Sequence, residues 1–332
     1  MRVLVTGAFG FVGSAVVRRL AEDGHEVWAL TSRPRGAALP PLPAARVLHA
    51  DLRDRAALRP AFDGVEAVCH LAALTGVQES FTRAADYRDV NAATMDPLLD
   101  LLDEHGAAAA RPPRFVLAST AAVYGTPDRQ PVTEDTPPAP GNPYGASKAL
   151  AEQALRRRCA DGRVSGVVLR GFNVAGAVAG VGDTDESRII PKTLAVAAGR
   201  HPHLGLNGDG GAVRDFVHVA DLARAFGLAL TAPPTADGHD HGHDRGHGHG
   251  LRTYNVGATP AAVREIVRAV ETHTGRTVPV VHHPPTPESP RLVSDTALIR
   301  RELGWKPERS ALDTIIADAW SAVREMTGDQ SG

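Results

Sequence analysis

"RVLVTGAFGFVGSAVVRRLAEDG" (residues 2–24) joins three local signals in one short span. A buried apolar run is followed by glycines spaced G-x-x-G-x-x-G at Gly7, Gly10 and Gly13, and then by an apolar repeat of helical period that stops at Gly24. Glycines at that spacing let the backbone approach a pyrophosphate seated on the N-terminus of the helix. A glycine pattern alone is weak, but placed between a strand and its helix it predicts a dinucleotide site. A tight turn with no ligand does not need three spaced glycines. Gly7, Phe9, Gly10, Phe11 and Gly13 are therefore the first candidate cofactor-binding residues.

From this unit outward, apolar runs keep alternating with helical patterns, which predicts an α/β fold with a parallel sheet. "HEVWAL", "ARVLHADL", "EAVCHLAA", "RFVLAST" and "VSGVVLRGFN" read as further strands, and "NAATMDPLLDLLDEHG" and "PYGASKALAEQALRRRCADG" as helices. Right-handed crossovers would set the strands in one doubly wound Rossmann sheet. After Asn173 the alternation breaks down, so a smaller, discontinuous C-terminal lobe is expected. The expected boundaries are 1–173 and 213–257 for the dinucleotide-binding domain, with 174–212 and 258–332 for the substrate lobe.

The second strand of such a domain ends in an acid where a carboxylate binds the ribose 2′-hydroxyl of NAD. Here it ends in Thr31, Ser32 and Arg33, a hydroxyl and guanidinium set that could also accept a 2′-phosphate. The cofactor expected is NAD, with NADP nearly level. Asp51 and Leu52 would close over the adenine, and Leu71, Ala72 and Ala73 would line the channel to the nicotinamide.

A net charge of −2 over 332 residues gives no case for nucleic acid or an anionic membrane as partner. No apolar run is long enough to span a bilayer, "MRVLVTG" has no signal-peptide n-region, and two distant cysteines suit reduced thiols; a cytoplasmic protein is expected. "GHDHGHDRGHGHG" at 238–250 holds five of the fifteen histidines. Its Gly and Asp dilution gives no fixed geometry, so it reads as a solvated loop and no metal is expected.

The chemistry rests on "NPYGASKALAE" at 142–152, where Tyr144 and Lys148 stand one helical turn apart. An ordinary helix surface can produce that pair. The functional alternative is an ammonium that lowers the phenol until it serves as a general base. With the glycine turn, this pair gives the chain the look of an extended short-chain dehydrogenase/reductase. It most resembles the UDP-glucose 4-epimerase-like branch of nucleotide-sugar enzymes. "LVTGAFGFVGS", "STAAVYG", "TEDTPPAPGNPYGASK", "LRGFNVAGA", "GGAVRDFVHVADLA" and "RRELGWKPE" all follow that family's order and spacing over nearly the whole chain.

The resemblance implies roles position by position. Tyr144 would be the base, Lys148 its electrostatic partner and Thr120 the group that bonds the reacting hydroxyl, with Asn91 beside the cofactor. Asn173, Arg188 and Arg214 would hold the substrate, and Arg291 lies close to the place of a family arginine that "PTPESP" at 285–290 lacks. Gly171 stands where epimerases usually carry Tyr, and Ala121 and Ala122 replace the acids of the dehydratases and decarboxylases. The implied activity is a nucleotide-sugar 4-epimerase, a homodimer working through a 4-keto intermediate. An NADPH-dependent ketoreductase is the alternative, and a non-catalytic dinucleotide module would not need Thr120, Tyr144 and Lys148 together.

Overall fold

The structure is a computed structural model that describes residues 1–105, 112–233, 250–285 and 289–327. Its centre is a seven-stranded sheet of β1 (Arg2–Thr6), β2 (Glu26–Thr31), β3 (Arg46–His49), β4 (Ala67–His70), β5 (Arg114–Thr120), β6 (Ser165–Gly171) and β7 (Leu251–Val256). Across the sheet the order is β7-β6-β5-β4-β1-β2-β3, and every pairing is parallel. The strand order turns back beside β1, where β2 leads off to one side and β4 to the other. Such a switch point opens a crevice at the carboxyl ends of the strands.

Strand alternation divides the core into two layers. Val3 and Val5 face α1 (Phe11–Glu22) and a helix later in the chain, packing with Val16, Val17, Leu20 and Phe226. Leu4 faces the other way with Leu30, Phe115 and Leu117. There it meets α2 (Met95–His105) and α3 (Pro143–Ala160) through Leu98, Leu101 and Leu155. Burying both faces explains why these strands are apolar throughout rather than alternating.

The second lobe has its own core, built from Ile190 and Leu194 of α4 (Ile189–Ala197) and from Phe216. After α5 (Val219–Thr231), which packs on the large sheet, the lobe resumes with Ile266 of α6 (Val263–Thr274) and Ile315 and Ile316 of α7 (Leu312–Thr327). Of the stretch 213–257, Leu251–Val256 joins the large sheet at its edge. Val213–His218 does not: it pairs with Asn173–Ala175, Thr259–Ala262 and Arg291–Leu292 in a four-stranded sheet. A strand therefore leaves the expected dinucleotide-binding segment for the lobe, because its partners come from distant parts of the chain. Buried Asp221 stitches the lobe to α5, accepting the amides of Glu308 and Arg309 at 2.9 Å each and the Ser310 hydroxyl at 2.6 Å.

Candidate active site

At the end of β1 the chain turns through Gly7, whose φ of +68° favours glycine, and a Cβ there would lie 2.7 Å from the Ala72 nitrogen. Gly13 is tighter, since its Cβ would stand 2.0 Å from the Gly7 carbonyl oxygen. The first turn of α1 is thus pressed directly on the loop. Gly10 caps the helix without a side-chain bond, and no acid occupies the first turn. The leading amides have no intrahelical partner, so this end offers donors and partial positive charge to an anion. Phe9 and Phe11 flank the turn, partly buried against the sheet core. These residues fit the pyrophosphate of a dinucleotide.

Thr6 ties that cradle to β4. Its buried hydroxyl accepts the amides of Leu71 and Ala72 at 3.2 Å each and lies 2.8 Å from His70 Nδ1. With two donors already on the oxygen, its own proton points to Nδ1, so the imidazole is neutral. Burial, helped by the Lys148 charge, pushes His70 down to about 3. Leu71, Ala72 and Ala73 follow β4 directly and are half-buried.

Farther along the edge, the Thr31 hydroxyl accepts the Arg33 amide at 3.2 Å, while Ser32 and Arg33 are exposed. Asp51 is held by the Arg53 guanidinium at 2.6 Å, which keeps its carboxyl down at about 2, and Leu52 is buried behind it.

Thr120 ends β5, and Tyr144 and Lys148 sit on the first turns of α3. That helix starts here because Asn142 accepts the Gly145 amide at 2.8 Å and Pro143 occupies the first helical position. Burial pushes the Tyr144 phenol up, whereas a hydrogen bond from Thr120 and the charge of Arg188 pull it back. Lys148 is only 3 % exposed; burial brings its ammonium down to about 8, and Glu152 opposes that fall. The spacing of Tyr144 and Lys148 predicts the lysine as the cation that lowers the phenol. The Arg188 charge also lowers the phenol, and the Lys148 charge lowers His70.

Asn91 reaches none of these groups directly, yet it aligns them. It lies in the irregular turn Asp89–Ala93 and is 1 % exposed. Its Oδ1 accepts the Leu74 amide at 2.8 Å, and its Nδ2 donates to the Leu74 carbonyl at 2.9 Å and to Ser147 Oγ at 3.0 Å. Ser147 in turn donates to the Tyr144 carbonyl at 2.7 Å. The loop after β4 is thereby clipped to the helix that carries Tyr144 and Lys148. Sequence reasoning missed Thr6, Ser147 and Glu152; for the last two, their positions beside and one turn beyond Lys148 were the available signal.

On the lobe side, Arg188 is held by Asp183 at 2.9 Å and Asp185 at 3.2 Å, and its Nη2 reaches Thr75 Oγ1 at 3.3 Å. Asn173 donates to the Asp215 carbonyl at 3.0 Å, and Arg214 to the carbonyls of Val213 and Ser289 at 3.0 and 2.9 Å. Arg291 does not join Arg214. The register pairs Arg291 with Val213 and Arg214 with Leu292, so strand alternation turns the two guanidiniums to opposite faces. Gly171 has room, with nothing nearer than 3.6 Å to an added Cβ.

Among the described residues no group of three or more His, Cys, Asp and Glu is arranged for a metal, and 238–249 of the His-rich segment lies outside them. Pro285, Ser289 and Pro290 of "PTPESP" are described, and residues 286–288 are not.

The chain is 35% identical over 341 residues to a UDP-glucose 4-epimerase of Corynebacterium glutamicum, covering 100% of this chain and 98% of that protein. It is 36% identical over 331 residues to the UDP-glucose 4-epimerase of Streptomyces lividans, covering 96% of this chain and 95% of that one. A crystal structure of UDP-glucose-4-epimerase from Stenotrophomonas maltophila, with bound NAD and formylated UDP-arabinopyranose, superposes with a TM-score of 0.85 at 30% identity, covering 99% of each chain. The family profile described as NAD dependent epimerase/dehydratase matches residues 3–257. With that profile over most of the chain and these relatives along its whole length, the chain belongs to the NAD dependent epimerase/dehydratase family, among the extended short-chain dehydrogenases/reductases.

Proposed function

We propose that this protein interconverts the C4 epimers of a UDP-hexose through a transient 4-keto sugar, with NAD as its resident cofactor. One observation carries the reading. Thr120 and Tyr144 meet by their hydroxyls, and the two residues after Thr120 are Ala121 and Ala122, which carry no proton. Hydride chemistry needs only the first pair. Eliminating water or carbon dioxide needs more.

A bound nicotinamide would supply the hydride acceptor for C4 and the donor for its return to the ketone, with Gly7, Gly10 and Gly13 holding the dinucleotide's pyrophosphate. The protein's own part is acid–base work and orientation. Tyr144 takes the 4-hydroxyl proton as the carbon is oxidised and returns it on reduction, while Thr120 holds the oxygen in line. Burial opposes a phenolate at Tyr144, and the Thr120 bond and the Arg188 charge offset part of that opposition. Lys148, about 8, stays cationic at neutral pH and supplies the positive wall of the pocket. Because one proton and one hydride leave and return, turnover needs no external reductant.

Asn173 and Arg214 are the groups we place on the diphosphate, on paired strands at the edge of a lobe made of 174–212 and 258–332, and Arg188 nearer the sugar. Gly171 leaves space at the end of β6. We place the enzyme in the cytoplasm, a reading supported by two buried free thiols, Cys69 and Cys159. Among the described residues no helix is long and apolar enough to cross a membrane. We further propose a homodimer, and Leu150, 42 % exposed on α3, supports a contact through that helix.

The test is what leaves the purified protein on denaturation. An epimerase recovers its hydride each cycle, so near-stoichiometric oxidised NAD should appear in the extract. UDP-glucose and UDP-galactose should interconvert with no NAD(P)H consumed. An empty protein that needs added NADPH and yields only reduced sugar would overturn the reading in favour of a ketoreductase.

A further inference from the structure

Behind the candidate active site lies a buried charge pair that the mechanism above does not use. Glu152 follows Lys148 by one turn of α3, so both face the sheet, and each is 3 % exposed. Arg170, 2 % exposed on β6, grips the Glu152 carboxylate through Nη2 at 2.7 Å and Nε at 3.1 Å. Ser119, the neighbour of Thr120 on β5, donates its hydroxyl to the same carboxylate. Arg170 is fixed from the far side by the Tyr124 hydroxyl at 2.8 Å, and that hydroxyl donates to Asn255 at 2.7 Å. The carboxylate therefore cannot swing away.

We propose that Glu152 is a positioning residue for Lys148: its immobilised carboxylate supplies the negative charge that holds the buried Lys148 ammonium in place and in its charged form. The inference rests on the role given to Lys148 above. A purely structural ion pair between α3 and β6 would not require an ammonium one turn away. Among the described residues, Glu152 is the carboxylate one turn from Lys148 on α3. The titratable groups that act on Lys148 or feel it are His70 on β4, neutral, and Glu152 on α3, while Tyr144, one turn earlier, is charged only as the phenolate. Arg170, behind Glu152, is positive and would repel the ammonium if the carboxylate were absent.

The experiment exploits an accident of composition. The chain has only three lysines, Lys148, Lys192 and Lys306. Labelling lysine at Cε with carbon-13 gives three NMR signals in the full-length protein, of which two are internal references. In Glu152→Gln the Lys148 midpoint should fall by about one pH unit or more, as expected when a charge one turn away is lost from a low-dielectric site. The alkaline limb of kcat should move down with it. Arg170→Met should shift the midpoint the opposite way. Because Glu152→Gln leaves Arg170 buried without its partner, the double variant Glu152→Gln/Arg170→Met restores neutrality and is measured beside it. A Lys148 midpoint unchanged from wild type in both Glu152→Gln and the double variant would overturn the proposal, whatever happened to thermal stability. The NMR titration needs no substrate. If Lys148 moves as expected while the wild type lacks epimerase activity, the functional reading fails and the coupling stands.

Discussion

Asn91→Ala removes a side chain that touches no reacting group, and it should still cost both stability and rate. Three hydrogen bonds disappear, to the Leu74 amide, the Leu74 carbonyl and Ser147 Oγ. At ~1 kcal/mol net for each, with a further penalty for the two Leu74 groups left without partners, the loss is about 3–4 kcal/mol. In a chain of this size, at roughly 2 °C per kcal/mol, Tm should fall by about 6–8 °C. The functional loss has a separate origin, because Leu74 belongs to the loop after β4 and Ser147 to the helix of Tyr144. Letting those two slide by about 1 Å should reduce kcat by ~10²-fold, as misplacement of that size does elsewhere. Calorimetry and steady-state epimerisation measured together provide the check. A variant that melts within 1 °C of wild type, or one that melts low yet keeps full kcat, would refute the idea that Asn91 aligns loop and helix.

Tyr144→Phe should keep the fold and bound NAD while kcat drops by ~10²–10⁴-fold, because only the ionisable oxygen is lost; a variant within threefold of wild type in steady-state assays would contradict that. Gly13→Ala forces a methyl onto the Gly7 carbonyl, 2.0 Å away, so NAD in the denatured extract should fall to a small fraction of wild type, and full retention would refute the cradle. Thr31→Asp should strengthen NAD binding and weaken NADP in fluorescence titrations, since a carboxylate suits the 2′-hydroxyl and repels a 2′-phosphate; unmoved affinities would sink the argument from the second strand. Burial raises the Glu134 carboxyl to about 7, above its ordinary value, so its contribution to stability is present at low pH and is lost as pH rises through 7. Glu134→Gln, which can still accept the Asn255 amide, should therefore stabilise the protein at pH 8 by on the order of 1–2 kcal/mol and change little at pH 4.5, read by denaturation at both.

The dinucleotide half was legible in the sequence because its signals are local. The glycines, the helix start and the β2 end all lie within residues 2–33, and each forces a backbone event where it stands. The lobe sheet was not legible for the opposite reason. Asn173–Ala175 and Arg291–Leu292 are too short to carry a period, and they flank Val213–His218 only after distant parts of the chain come together. Tyr144, Lys148 and Thr120 were proposed from family spacing, and in the structure the hydroxyls of Thr120 and Tyr144 are hydrogen-bonded. What spacing could not supply was direction. Lys148 shares a helix face with both Tyr144 and Glu152, and only the packed structure shows Glu152 buried and gripped by Arg170. Arg291 stood near the right place in sequence, yet one step of strand register turns it from Arg214.

The position of β7 has a consequence for how the chain is made. Six strands of the large sheet are complete once residue 171 has been synthesised, but the strand that covers β6 spans Leu251–Val256. At roughly 5–20 residues per second on the ribosome, β6 waits on the order of 4–16 seconds with an open hydrogen-bonding edge. That edge carries the apolar run Val167–Val168–Leu169, buried in the finished fold. An uncovered apolar strand edge is a template for pairing with another nascent chain. The vulnerable moment in this protein's life is therefore the synthesis of residues 172–256, and a chaperone that shields β6 during it should raise the soluble yield more than one added after release.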